Sequence, residues 1–188
     1  MIERFFDGDV VVYQTKLYED NRGFFYESYN SERFNDIIGK NIIFLQDNHS
    51  KSMKGVMRGI HYQRPPFEQA KLVRVVAGSI IDLAVDLRIE SPTFGQHVMV
   101  ELSEANKKQI WIPEGFGHAF LSLEADTEVL YKTNNYYSVD HEVSLSFLDK
   151  ELGISWPQAV ANFSEKDGQG LTLSEFRRLM ARQDRKKD

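Results

Sequence analysis

KLVRVVAGSIIDLAVDLR, residues 71–88, decides the fold. Two apolar, β-branched runs flank Ala77, Gly78 and Ser79, a turn-forming break, and both runs alternate with a period of two rather than the 3.6 of a helix. Lys71, Val73 and Val75 share one face of the first run. In the second, Ile81, Leu83, Val85 and Leu87 point one way, and Asp82, Ala84, Asp86 and Arg88 the other. Outward from these two runs the pattern repeats. VVVYQ, GFFYESY, IIFLQDN, GIHYQ, HVMVELS, KQIWIP, AFLSLEA, EVLYKTN and EVSLSFLD all read as short strands, separated by turn residues at EDNRG, RPP, ESPTFG, PEG and EADTE. Many short strands at this spacing predict an all-β sandwich or barrel.

Two stretches read as helices. NSERFNDIIG (30–39) has a capping residue before it and a glycine after it. The C-terminal stretch 171–188 sets Leu173, Phe176, Leu179 and Met180 on one side, an amphipathic helix expected to lie on a sheet and to end in a basic tail. With 188 residues, 41% hydrophobic and 27% charged, the chain is expected to form a single domain over residues 1–188. A net charge of -5 provides no global attraction to nucleic acid. The absence of cysteine excludes disulfides and thiolate metal sites and suits a reducing cytoplasm. The acidic start, MIERFFDGDV, lacks the apolar core of a signal peptide, and no apolar run approaches the length of a membrane span, so a cytoplasmic location is expected.

The chemistry is sought on the strand faces. His61 lies with Gly59 and Gln63, Tyr131 with Val129 and Thr133, and His118 with Phe116, Phe120 and Ser122. Turned outward, these residues are ordinary surface. Turned inward, their polar groups need each other, water or a ligand, and the mixture of aromatic, aliphatic and polar side chains suits a small-molecule cavity. Metal chemistry is not expected: no two of the five histidines are two residues apart, and His61 and Glu68 are separated by a double proline. A histidine base, a lysine that stabilises an enolate and a tyrosine acid on the opposite face are what inversion at a carbon beside a carbonyl requires, with no cofactor.

Eight segments in order carry a resemblance: DNRGFFYE (20–27), QDNHS (46–50), RGIHYQ (58–63), residues 71–88, SPTFG (91–95), IWIPEGFGHAF (110–120), LYKTNNYY (130–137) and SEKD (164–167). Together they resemble the dTDP-4-dehydrorhamnose 3,5-epimerase family. The resemblance implies a cupin-type jelly roll with a few short peripheral helices. It also implies an isomerase that inverts C3 and C5 of a dTDP-4-keto-6-deoxyhexose without metal or cofactor. By the resemblance His61 is the base, Asp167 its carboxylate partner, Tyr131 the acid and Lys71 the enolate stabiliser, while His118 and Asp82 support the site floor. Gln46, Asn48, Arg58, Tyr137 and Lys166 would contact the nucleotide sugar. Arg22, Phe25 and Glu27 match residues supplied by a neighbouring subunit, which implies a homodimer with exchanged N-terminal strands and shared active sites.

Each residue also has a plainer reading. His61 and His118 are ordinary structural histidines in many sheets, and Lys71 would guard an edge strand against aggregation. Tyr131 would simply pack with its hydroxyl hydrogen-bonded, Arg22 and Gly23 would form a hairpin turn, and SEKDG would be a solvated turn. Other functions stay open on the residues alone: a C3-only or C5-only epimerase of another 4-keto nucleotide sugar, a non-catalytic sugar-nucleotide binding module, or a metal-dependent cupin oxygenase.

Overall fold

Residues 71–88 cross from one stacked sheet to the other. In the computed structural model, which describes residues 1–184, Lys71–Ala77 and Ser79–Asp86 are strands β7 and β8 of different sheets. One sheet has six antiparallel strands in the order β1 (Ile2–Phe5), β2 (Val10–Gln14), β10 (Lys108–Ile112), β7, β12 (Thr127–Thr133) and β5 (Gln46–Ser52). The other has five, in the order β13 (Glu142–Ser144), β6 (Met57–Gln63), β11 (Phe116–Ser122), β8 and β9 (His97–Ser103). Sequential strands that switch sheets, both antiparallel, make the expected jelly roll. A separate hairpin, β3 (Tyr18–Asp20) and β4 (Gly23–Phe25), belongs to neither sheet.

Strand alternation sorts side chains into layers. Val73 and Val75 of β7, Ile80 and Ala84 of β8, Ile110 and Ile112 of β10 and Phe116 and Phe120 of β11 fill the space between the sheets. The outer face of the five-stranded sheet is covered by α3 (Leu173–Asp184), whose Leu173 and Phe176 are buried against Tyr62, Leu83 and Val85. The outer face of the six-stranded sheet is covered by α1 (Ser31–Ile38), whose Phe34 packs on Val11, Leu72 and Trp111. Asn30 caps α1 by accepting from the Arg33 amide, and Gly39 closes it at φ 74°. The basic tail expected beyond α3 falls on residues 185–188, outside the described residues. Among the described residues no helix is long and apolar enough to cross a membrane.

Several strand boundaries differ from expectation. The strand expected at IIFLQDN begins only at Gln46 and runs to Ser52, while Ile42 and Phe44 pack as a loop beneath α1. β5 is an edge strand whose Asp47, His49 and Lys51 are exposed, so its polar sequence hides it from a hydrophobic pattern. GFFYESY shortens to Gly23–Phe25 and EVSLSFLD to Glu142–Ser144, because the remaining residues leave their ladders to pack or cap. SEKDG is no solvated turn: Ser164 accepts from the Asp167 amide and caps the one-turn helix α2 (Glu165–Gly168), which buries Asp167.

Gly59 positions the chemistry. At φ 104° it tolerates what other residues resist, and a Cβ there would lie 2.4 Å from the His118 carbonyl oxygen. The bare backbone lets β6 press against β11 where the register shifts, and His61 comes to stand directly opposite His118.

Candidate active site

Two imidazole–carboxylate pairs stand side by side on the inner face of the five-stranded sheet. His61 Nε2 is 2.6 Å from Asp167 Oδ1, which α2 supplies. A carboxylate only accepts, so Nε2 donates to it and Nδ1 is the ring nitrogen left to act as a base. Burial pushes the Asp167 carboxyl up, but the hydrogen bond and charge of His61, with further donors at Ser164 and the Gly59 amide, hold it below the usual range. In the second pair, His118 Nε2 is 2.8 Å from Asp82 Oδ2, and both residues are buried. Burial drives His118 below and Asp82 above their ordinary values, and their mutual attraction only partly opposes it.

The facing sheet contributes the other groups. Lys71 of β7 and Tyr131 of β12 share the inner face, in register with Thr133 and Val73 respectively. Lys71 is half-buried, and desolvation lowers its ammonium to about 8, with Asp82 and Glu142 resisting. Burial raises the Tyr131 phenol; Arg58 opposes the shift and Glu142 adds to it. Asn48 lies opposite Tyr131 in the ladder, and Gln46 Nε2 donates to Asn48 Oδ1 at 2.9 Å. Gln46 Oε1 accepts from the Tyr137 backbone amide at 3.3 Å. Arg58 is held at the rim by Ser52 Oγ at 3.0 Å and the Lys51 carbonyl at 3.2 Å.

Glu142 is the residue that sequence reasoning does not single out. It accepts from Tyr137 Oη at 2.9 Å and from Lys166 Nζ at 2.8 Å. Burial pushes its carboxyl up, yet these bonds and the field of His61 hold it below the usual range. Alternation in EVS hints that Glu142 and Ser144 share a face. Only the pairing of β13 with β6, which sets Ser144 opposite His61, reveals which face it is. A cleft of about 600 Å³ borders this edge strand, lined in part by Arg64, Glu142, Glu165, Lys166 and Gln169.

Thus His61, Asp167, His118, Asp82, Lys71 and Tyr131 converge between the sheets, with Gln46, Asn48, Arg58, Tyr137 and Lys166 around them. Arg22, Phe25 and Glu27 do not join them within one chain. Arg22 is bonded to Asp20 at the tip of the β3–β4 hairpin, Phe25 is 68% exposed, and Glu27 pairs with Arg33 beside α1. Of the remaining histidines, His49 is exposed and bonded to Glu128, whereas His141 is half-buried and packs tilted against Phe67, ring centroids 4.5 Å apart.

An imidazole, a phenol and an ammonium converging between the sheets equip the site to move a proton from one face of a carbon to the other while holding negative charge on an adjacent oxygen. The chain is similar to known epimerases. Residues 8–175 match the family profile of dTDP-4-dehydrorhamnose 3,5-epimerase. The chain is 50% identical over 162 residues to the enzyme of that name from Shigella flexneri, covering 86% of this chain and 90% of the relative. The crystal structure of a dTDP-6-deoxy-D-glucose-3,5-epimerase from Legionella pneumophila, in complex with dTDP-4-keto-L-rhamnose, superposes with a TM-score of 0.88. It is 44% identical and covers 93% of both chains. A 3'-monoepimerase from Streptomyces bikiniensis, in complex with dTDP-quinovose, superposes at 0.89 with 32% identity, covering 94% of this chain and 90% of that one. This chain belongs to the dTDP-4-dehydrorhamnose 3,5-epimerase family.

Proposed function

We propose that this chain inverts C3 and C5 of dTDP-4-dehydro-6-deoxyglucose to give dTDP-4-dehydrorhamnose, with His61 as base and Tyr131 as acid. The observation that carries the reading is the His61–Asp167 pair on one sheet, set across the interior from the sheet that carries Tyr131 and Lys71. His61 Nδ1 takes the proton from the carbon beside the C4 ketone. The electron pair moves to the ketone oxygen, where the Lys71 ammonium stabilises the enolate. Tyr131 then delivers a proton to the opposite face. Burial of the Tyr131 hydroxyl keeps it protonated until the enolate demands its proton. Asp167 holds the His61 tautomer, and the His118–Asp82 pair forms the floor. Arg58 and Lys166 are the cations suited to the diphosphate, and Gln46, Asn48 and Tyr137 suit the sugar and nucleoside.

Proton NMR of dTDP-4-keto-6-deoxyglucose incubated with the protein in D₂O tests the reading. Deuterium is expected at both C3 and C5 with formation of the rhamno product. Exchange at one carbon only would assign a narrower epimerase, an outcome the likeness to the 3'-monoepimerase makes worth resolving. Tight binding with no exchange at either carbon would make the protein a binding module.

The charge on Lys71 sets an alkaline limit. Its ammonium is lowered to about 8, so kcat/KM, which reports the free enzyme, is expected to fall as pH rises beyond about 8. Folding moves the other way. Between about 8 and the ordinary lysine value of 10.5, the unfolded chain binds a proton that the folded chain has released, so this residue's contribution to stability rises with pH. Activity lost in that window without loss of fold, followed by circular dichroism, separates the two effects.

The β3–β4 hairpin is the element we assign to a second copy of the chain. Tyr18, Phe24 and Phe25 are 53%, 55% and 68% exposed on it, a cluster that a monomer leaves uncovered. An exchanged arm would bring Arg22, Phe25 and Glu27 to the partner's cavity, so that one jelly-roll domain per chain yields shared active sites. Mixing His61→Ala and Arg22→Ala chains tests this. In a heterodimer one cavity carries both lesions and the other neither, so random exchange is expected to restore roughly a quarter of wild-type activity. No recovery would place Arg22 in its own chain's site, and an Arg22→Ala homodimer with wild-type activity would place it outside the sites.

A further inference from the structure

The cavity floor holds a charge arrangement that the acid and base do not use. Asp82 is fully buried, and only one of its oxygens is engaged: Oδ2 accepts from His118, while Oδ1 has no hydrogen-bond partner among the described residues. An enclosed carboxylate oxygen without a donor bears its whole desolvation cost. Lys71 presents the complementary deficit. It is an inward-facing lysine on β7 that forms no ion pair among the described residues.

The charged and titratable groups that face this space are Asp82 from β8, His118 from β11, His61 from β6, Tyr131 from β12, Glu142 from β13, and Lys166 and Asp167 from α2. Two are anions that act on Lys71, Asp82 more strongly than Glu142. Both oxygens of Glu142 are already engaged, by Lys166 and Tyr137. The other carboxylate, Asp167, is bonded to His61 and Ser164 caps its helix. The free acceptor is Asp82 Oδ1.

We propose that Oδ1 of Asp82 is the seat of the Lys71 ammonium, which makes Asp82 a positioning residue that keeps this cation charged and aimed at the reacting ketone. The inference rests on the function proposed above and deepens it. An ammonium has three N–H donors; one directed at Oδ1 leaves two for the enolate oxygen and its surroundings. A lysine this desolvated, without a fixed counter-charge, would meet the substrate as a neutral amine. His118, by engaging Oδ2, leaves Oδ1 as the acceptor open to Lys71.

The test is titration of Lys71 in the full-length protein by NMR of ¹³C-labelled lysine side chains, the signal assigned by its loss in Lys71→Met. In Asp82→Asn the proton affinity of Lys71 is expected to fall about 10- to 1,000-fold, the range commanded by an adjacent opposite charge. The alkaline limb of kcat/KM should move down by the same interval. A purely structural role for Asp82 would lower activity evenly at all pH values and leave the Lys71 midpoint in place; that result overturns the proposal. If Asp82→Asn does not fold, the reciprocal measurement serves. Loss of the cation in Lys71→Met should raise the Asp82 carboxyl midpoint by the same factor, because coupling between two sites is mutual, and an unmoved midpoint there also overturns the proposal. Coupled midpoints in a protein that epimerises none of the substrates would support the seat and overturn the assigned reaction.

Discussion

Turnover of dTDP-4-keto-6-deoxyglucose is expected to fall about 10²–10⁴-fold in His61→Ala, the span of general-base effects. Alanine removes the Nδ1 lone pair proposed to take the substrate proton. It also strips Asp167 of its 2.6 Å donor and leaves a 3% exposed carboxylate short of a partner. A lost hydrogen bond to a charged group costs about 1.5–3 kcal/mol, so part of any loss of activity could come from the fold. His61→Gln separates the two effects. The glutamine amide nitrogen offers a donor close to where Nε2 stood, satisfies Asp167 and supplies no base. Both variants should lose activity to a similar degree, with thermal stability recovering in the glutamine variant. Deuterium exchange at C3 and C5 should fail along with inversion, since no proton is removed. Near-normal turnover by either folded variant would remove His61 from the role of base.

Much of this arrangement is legible before any coordinates, for a physical reason. A period of two says which residues share a face, and that places Lys71 with Val73 and Tyr131 with Val129. It does not say which faces meet. That depends on the crossing from β7 to β8 between sheets, and on the register slip at Gly59 that aligns His61 with His118. β5 escapes a hydrophobic reading because an edge strand has one ladder unpaired and an outer face in water, so Asp47, His49 and Lys51 suit it better than an apolar run. Glu142 escapes for a different reason. Its partners Tyr137 and Lys166 come from a loop and from α2, and only the folded chain brings them to β13. The pairing of Asp167 with His61 is legible only through the family resemblance, since a serine-capped single turn has no periodicity to detect.

Tyr131→Phe should separate two events that His61→Ala abolishes together. Phenylalanine keeps the ring between the sheets, where Tyr131 packs with the inner core, and deletes only the hydroxyl. His61, Asp167 and Lys71 remain, so the proton should still leave the carbon and the enolate should still form. With no acid on the opposite face, the enolate recovers its proton, or a deuteron, from His61 on the face it left. Inversion is therefore expected to drop about 10²–10⁴-fold, while washing of deuterium into unchanged substrate persists well above the His61→Ala level. Burial adds to the expectation. It raises the phenol, so the proton is tightly held at neutral pH and is released only to a strong base such as an enolate. Substrate signals at C3 and C5 followed by proton NMR in D₂O, beside the product signals, give both rates from one sample. Exchange that falls as far as inversion would make Tyr131 a residue that orients the sugar for His61. Inversion at the wild-type rate would mean the proton arrives from another donor, and Tyr131 would have no part in the chemistry.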